Sequence, residues 1–322
     1  MIAALPEALL DVPAWLPDAL AWLVVVAFVA TAALERFDRR IARAVGAGAW
    51  VLFGAFWGVL FPRFAFEMKS FVEGALSLAA VPLCVYAGYQ LYAGRDSLFV
   101  LSRAVAAMGV IYLPFTEVGF LREWLVETVS YQTNAVIELL GYDPEFTTAK
   151  ENGYHSAFVF TDRTGHTYYT YLVLACTGIG SMSIFGGLIA AVKAPLRRKL
   201  RAFATAVSVI WVLNVARNVF IALAFGNQWF QFFVGPITDL VGYSDPGMVS
   251  FFIADRVLSQ LLAVVALVGI LWLVVRDLPE LLTVIEDVAY LVTGREYDLS
   301  RAVGDDNNAR GDDATVRADG GR

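Results

Sequence analysis

Three groups of residues in this chain have types suited to acyl chemistry. They are Cys176 in LVLACTGIGS, Asn214 through Asn218 in NVARN, and Arg256, which Asp255 adjoins, in FFIADRVLSQ. A thiolate attacks a carbonyl readily and leaves a covalent thioester that a second nucleophile can resolve. Nearby guanidiniums favour thiolate over thiol and can hold the oxyanion created by the attack. Asn214 and Asn218 are an i, i+4 pair, and Asn214 and Arg217 share a helical face. Thr177, two glycines and Ser181 follow Cys176 and leave its thiol poorly covered. Packing is the competing reading for Cys176, and hydrogen bonding between helices is the competing reading for the Asn–Arg cluster.

The elements that must position these residues are membrane spans. The chain has 322 residues, is 58% hydrophobic and has a mean hydropathy of +0.63. An ordinary soluble domain is about 45–50% apolar and lacks repeated nearly uncharged runs of about 20 residues. The sequence is therefore read as an all-α integral membrane protein, a bundle of about seven transmembrane helices. The apolar runs cover roughly 18–34, 44–61, 72–93, 98–115, 174–193, 203–225 and 252–275. Residues 1–278 are expected to form one polytopic membrane domain, with 279–322 a cytoplasmic acidic tail, largely disordered at its end. That end, GDDNNARGDDATVRADGGR, has almost no large apolar residue with which to form a core. No basic region precedes the first apolar run, so it does not read as a cleaved signal peptide.

Basic residues set the expected orientation. Arg36, Arg39, Arg40, Arg43, Arg95, Lys193, Arg197, Arg198, Lys199, Arg201 and Arg276 all fall on one side if the N-terminus is outside and the C-terminus inside. In that frame Cys176, Arg217 and Arg256 lie toward the outer ends of three consecutive spans. Counted from Phe203 at about 1.5 Å per residue, Arg217 is about 21 Å from the inner face. Arg103 lies near an inner end, where its side chain can snorkel to water. The long outer connection contains an amphipathic stretch over LREWLVETVSYQTNAVIELLG, with Leu121, Leu125, Thr128, Val129, Val136 and Leu139 on one face. SAFVFTDRTGHTYYTYLVL follows, reading as a short β-hairpin around TDRTG that leads directly to Cys176.

Other chemistries find little support. Two cysteines make no disulfide framework, and Cys84 in VPLCVYAGY has no charged neighbour at its depth and reads as packing. The only histidines, His155 and His166, lie in the outer loop without H-E-x-x-H-like spacing, so no metal site is expected. Either histidine could serve as a general base. No lysine lies in the last span, which argues against a retinal protein, and no paired aspartates lie within spans. A transporter or channel with an intramembrane Arg/Asn path is the alternative reading.

At these residues the chain resembles the exosortase/archaeosortase family over about 70–275. ACTG around Cys176 matches the family's nucleophile motif, and NVAR from Asn214 to Arg217 matches its N-x-x-R helix motif. Arg256 falls at the third family position, where archaeal members have arginine and many bacterial ones histidine. The resemblance implies a membrane cysteine transpeptidase with Cys176 as nucleophile. Arg217 and Arg256 would stabilise oxyanion or thiolate, and Asn214 and Asn218 would position substrate. It further implies no cofactor, and a C-terminal tripartite signal of PGF type on secreted surface proteins, such as S-layer glycoprotein, as substrate. A membrane ether lipid would be the acceptor. No nucleic-acid partner is implied, and the active site would face outward from the cell membrane.

Overall fold

The computed structural model describes residue 13 and residues 15–299. The acidic end of the tail lies outside the described residues. Six helical segments among them are long and apolar enough to cross a membrane. They are α1 (Trp15–Leu34), α2 (Arg39–Pro62, continuing as a π turn to Glu67), α3 (Phe71–Tyr92), α4 (Leu98–Glu117), α7 (Leu196–Gly226) and a composite segment, Met248–Asp277. The composite comprises α9 (Met248–Phe251), a π-helical stretch (Phe252–Ser259) and α10 (Gln260–Asp277).

The fifth expected span is shorter than the sequence implied. Only α6 (Ile179–Ala191) is α-helical there, and its 13 residues rise about 20 Å against about 30 Å of hydrocarbon. Of the apolar residues before it, Leu172 and Val173 link the end of a strand (Thr167–Tyr171) to a 3-10 turn (Leu174–Thr177) that holds Leu174 and Ala175.

Helices α1 to α4 pack around Phe28, Trp50, Cys84, Leu91 and Phe99, all buried. Cys84 is thus packing material. A second core, built on Phe185, Ile189, Ala206, Ile210, Ile270 and Val274, joins α6, α7 and α10. Close approach through small residues links the two groups. A β-carbon at Gly187 on α6 would run into the Ala104 carbonyl of α4, so only glycine allows these helices to meet at that separation.

Charged residues tie the helix ends together at one end of the bundle. Arg43 pairs with Asp96 at 2.8 Å, Arg95 with Asp287 at 2.9 Å, and Arg198 with Glu280 at 2.7 Å. Asp287 lies on α11 (Leu282–Thr293), which packs against α3 and α4. Arg103 pairs with Glu35, just beyond the end of α1, at 2.6 Å.

The opposite end carries α5 (Gly119–Leu139) and an antiparallel sheet of β1 (Glu145–Thr148), β2 (His155–Thr161) and β3 (Thr167–Tyr171), in that order. The β2–β3 hairpin forms as expected. Asp162 accepts from the backbone N–H groups of Thr164 and His166 at 2.7 and 2.9 Å, closing the turn. The buried stripe of α5 is Leu125, Val126, Val129, Ser130, Thr133 and Ile137. Leu139, expected on that face, is exposed, because the sheet and α7 claim the adjacent stripe.

Candidate active site

Strand β3 runs into a 3-10 turn, Leu174–Thr177, that carries Cys176 half-buried. The Cys176 N–H donates to Val173 O at 2.8 Å, and Thr177 Oγ1 donates to Leu174 O at 2.7 Å. Gly178 then reverses the chain with φ +79°, a left-handed conformation natural to glycine, and α6 begins. A β-carbon at Gly178 would also lie 3.2 Å from Asn214 Cγ. The glycine therefore serves both the turn and its contact with α7.

Asn214 Nδ2 and Asn218 Nδ2 both donate to Cys176 O, at 2.6 and 2.8 Å. One turn of α7 thus clamps the Cys176 carbonyl. The resemblance gives these amides a substrate-positioning role; in the structure each donates to the backbone of Cys176.

Arg217, between them on α7, donates Nη2 to Asp255 Oδ1 at 2.5 Å. Asp255 Oδ2 lies 3.4 Å from Arg256 Nε. A single carboxylate is therefore shared by two guanidiniums, and its side chain is only 10% exposed. Arg256 Nε is buried without a hydrogen-bond partner. Both residues lie in the π-helical stretch, a local widening common at functional sites; its larger turn lets the consecutive Asp255 and Arg256 both border one cavity.

That cavity is about 650 Å³ and brings together Cys176, Asn214, Arg217, Asn218, Asp255 and Arg256. All five residues singled out from the sequence line it. Glu73 of α3 and Gln260 of α10 also line it, each with a buried side-chain oxygen that has no partner. Burial pushes the Tyr171 phenol up, with Glu151 and Cys176 adding to the effect, so this wall residue stays a neutral donor. A second cavity of about 540 Å³ adjoins the first at Ser181, Asn214 and Arg217. It is an apolar groove between α7 and α10, bordered by Leu213, Phe220, Leu262 and Val265.

Neither histidine lines either cavity. His155 stacks on Tyr131 and meets Phe146 edge-on, and His166 packs against Tyr168 in the hairpin. Among the described residues no group of three or more His, Cys, Asp or Glu side chains could hold a metal ion. Sequence reasoning noted Asp255 only as a neighbour of Arg256 and did not single out Glu73. An acidic residue next to an arginine at the start of an apolar run was the available signal for Asp255. For Glu73 the signal was a lone carboxylate at the head of a span.

A cysteine held by an asparagine pair beside two arginines is also the arrangement whose motifs resemble a known family. The sequence model of transmembrane exosortase (Exosortase_EpsH) matches residues 15–244. Archaeosortase A of Haloferax volcanii is 52% identical over 302 residues, covering 91% of this chain and 99% of the relative. Archaeosortase A of Natronomonas pharaonis is 50% identical over 281 residues, covering 85% and 89%. No solved structure gives a significant match. The chain belongs to the transmembrane exosortase family and is a sortase-like, membrane-embedded cysteine transpeptidase.

Proposed function

We propose that this enzyme removes the C-terminal sorting signal of secreted surface proteins and joins the new carboxyl terminus to the amine head group of a membrane ether lipid. The signal is of the tripartite PGF type, and S-layer glycoproteins are the expected substrate class. The observation carrying this reading is the junction of the two cavities at Ser181, Asn214 and Arg217. A cavity with charged groups and a thiol on its wall suits a peptide motif, and the apolar groove beside it suits the hydrophobic segment that follows such a motif.

The residues divide the work as follows. Glu73 accepts the Cys176 thiol proton, and Sγ bonds to the scissile carbonyl carbon while the electron pair moves to oxygen. Arg256, whose Nε is ion-paired with Asp255 but makes no hydrogen bond, donates to that oxyanion. Arg217 is engaged with Asp255 and keeps the arginine pair in register with the thiol. The C–N bond then breaks, Glu73 returns the proton to the leaving amine, and a thioester remains on Cys176. The acceptor amine attacks the thioester and passes a proton to Glu73. The C–S bond breaks, and the proton returns to the thiolate.

The ion-paired end of the bundle bears the basic residues and is assigned to the cytoplasm, with the N-terminus outside and the C-terminus inside. Cys176 and the sheet then face outward, where surface proteins and outer-leaflet head groups meet.

The test compares wild type with Cys176→Ala while co-expressing a surface protein that carries the signal, reading intact mass. With alanine the substrate should keep its C-terminal segment, and the wild-type product should gain the mass of a lipid. Continued processing by the alanine enzyme would overturn the mechanism; a wild-type product of hydrolysed mass would overturn the lipid acceptor.

A further inference from the structure

The sheet order leaves β1 and β3 each with one unpaired edge, and the two edges differ sharply. β1 has only four residues, follows Pro144, carries Glu145 and slips register between Thr147 and Thr148. These are features that blunt an edge against further pairing. β3 reads TYYTY, with no charge, proline or bulge.

The register shows what β3 offers. Leu172 N–H donates to Ser156 O at 3.0 Å and Asp162 N–H to His166 O at 2.9 Å, while Thr170 opposes Phe158 and Tyr168 opposes Phe160. Even-numbered positions therefore exchange bonds with β2, and Thr167, Tyr169 and Tyr171 turn their N–H and C=O groups to the open side. Among the described residues no backbone group pairs with that side. Tyr169 through Val173 line the same 650 Å³ cavity as Cys176, with Met248 and Phe251 also on its wall.

We propose that β3 is the docking strand for the substrate: residues just N-terminal to the scissile bond add to it as a fourth, parallel strand. This rests on the transpeptidase reading above, since it needs a peptide whose scissile carbonyl reaches Cys176. β3 runs toward the nucleophile turn. The substrate segment upstream of the cut must also run toward it, and therefore lies parallel to β3. Main-chain bonds provide affinity in this mode of recognition, and alternate side chains provide selectivity. A parallel strand bonds its partner through every second residue.

The experiment uses the full chain in liposomes and a synthetic peptide containing the cleavage motif and its apolar segment. Each amide upstream of the scissile bond is N-methylated in turn. Cleavage is read with wild type, and binding with Cys176→Ala. Loss of one backbone bond should weaken binding and raise KM about five- to tenfold at every second position, with the intervening positions near the unmodified peptide. A uniform effect, or an effect without two-residue period, on a peptide that wild type cleaves overturns edge pairing and leaves the transpeptidase reading standing. Periodic binding without cleavage of any peptide would sink the catalytic reading and retain the docking edge. Neither binding nor cleavage would remove both.

Discussion

Arg217 of α7 and Asp255 of the π-helical stretch meet at 2.5 Å, and this pair joins two segments that border the same cavity as Cys176. The pair is mostly sheltered, with Arg217 28% and Asp255 10% exposed at the side chain. In such surroundings removing one partner leaves the other charge poorly solvated.

Asp255→Asn should therefore lower both activity and thermal stability in detergent, by roughly 1–3 kcal/mol for the lost charge-assisted bond. Arg217→Met should do the same. If the two act as one unit, the double variant will be no worse than the poorer single one. Fully additive losses in kcat/KM would show instead that they act separately.

The asparagine clamp predicts a different pattern. Asn214→Ala and Asn218→Ala each remove one hydrogen bond to Cys176 O, worth about 0.5–1.5 kcal/mol, or roughly two- to twelvefold. The loss should fall mainly on kcat, because the amides hold the enzyme's own backbone. A rise in KM with unchanged kcat would return them to a substrate-binding role.

Glu73→Gln tests the proton acceptor. Its carboxylate has a free oxygen on the cavity wall, and glutamine keeps the size without the basicity. Activity should fall about 10²-fold or more, with Cys176 remaining largely unacylated in quenched samples. Near-normal turnover in the glutamine enzyme would exclude Glu73 from proton transfer.

Acid should loosen the opposite end of the molecule. The Arg43 hydrogen bond holds the Asp96 carboxyl below the ordinary aspartate value of about 3.9. A depressed carboxylate contributes stability that is fully present above its unfolded value and lost as pH falls through its folded one. Thermal midpoints of wild type should then drop as pH falls below about 4. Asp96→Asn should start lower at neutral pH and lose less over the same range. Parallel acid limbs for the two proteins would remove Asp96 from the effect.

Much of the scaffold was legible because hydrocarbon imposes a strong rule: uncharged runs of sufficient length must be helical spans. The same rule exposed Arg217 and Arg256, since a charge inside such a run needs a reason. It misled at α6, where Leu172 to Ala175 continue an apolar run that is chemically uniform but structurally divided between strand, turn and helix. Partners across the bundle were beyond reach. Nothing near Arg103 in sequence points to Glu35, and nothing near Asn214 points to the carbonyl of Cys176, 38 positions away. The buried face of α5 moved because its neighbours, not its own periodicity, decide which stripe is covered. β1 was missed because EFTT after Pro144 is too short to show alternation.

The brevity of α6 has a metric meaning. Its C-terminal end lies with the ion-paired turns, so the turn bearing Cys176 at its other end is recessed by about 10 Å relative to a helix long enough to cross about 30 Å of hydrocarbon. Extended chain covers that depth in about three residues. The thiol is thus reached by an extended strand that enters the bundle, and a peptide bond level with the ends of the longer spans falls short of it.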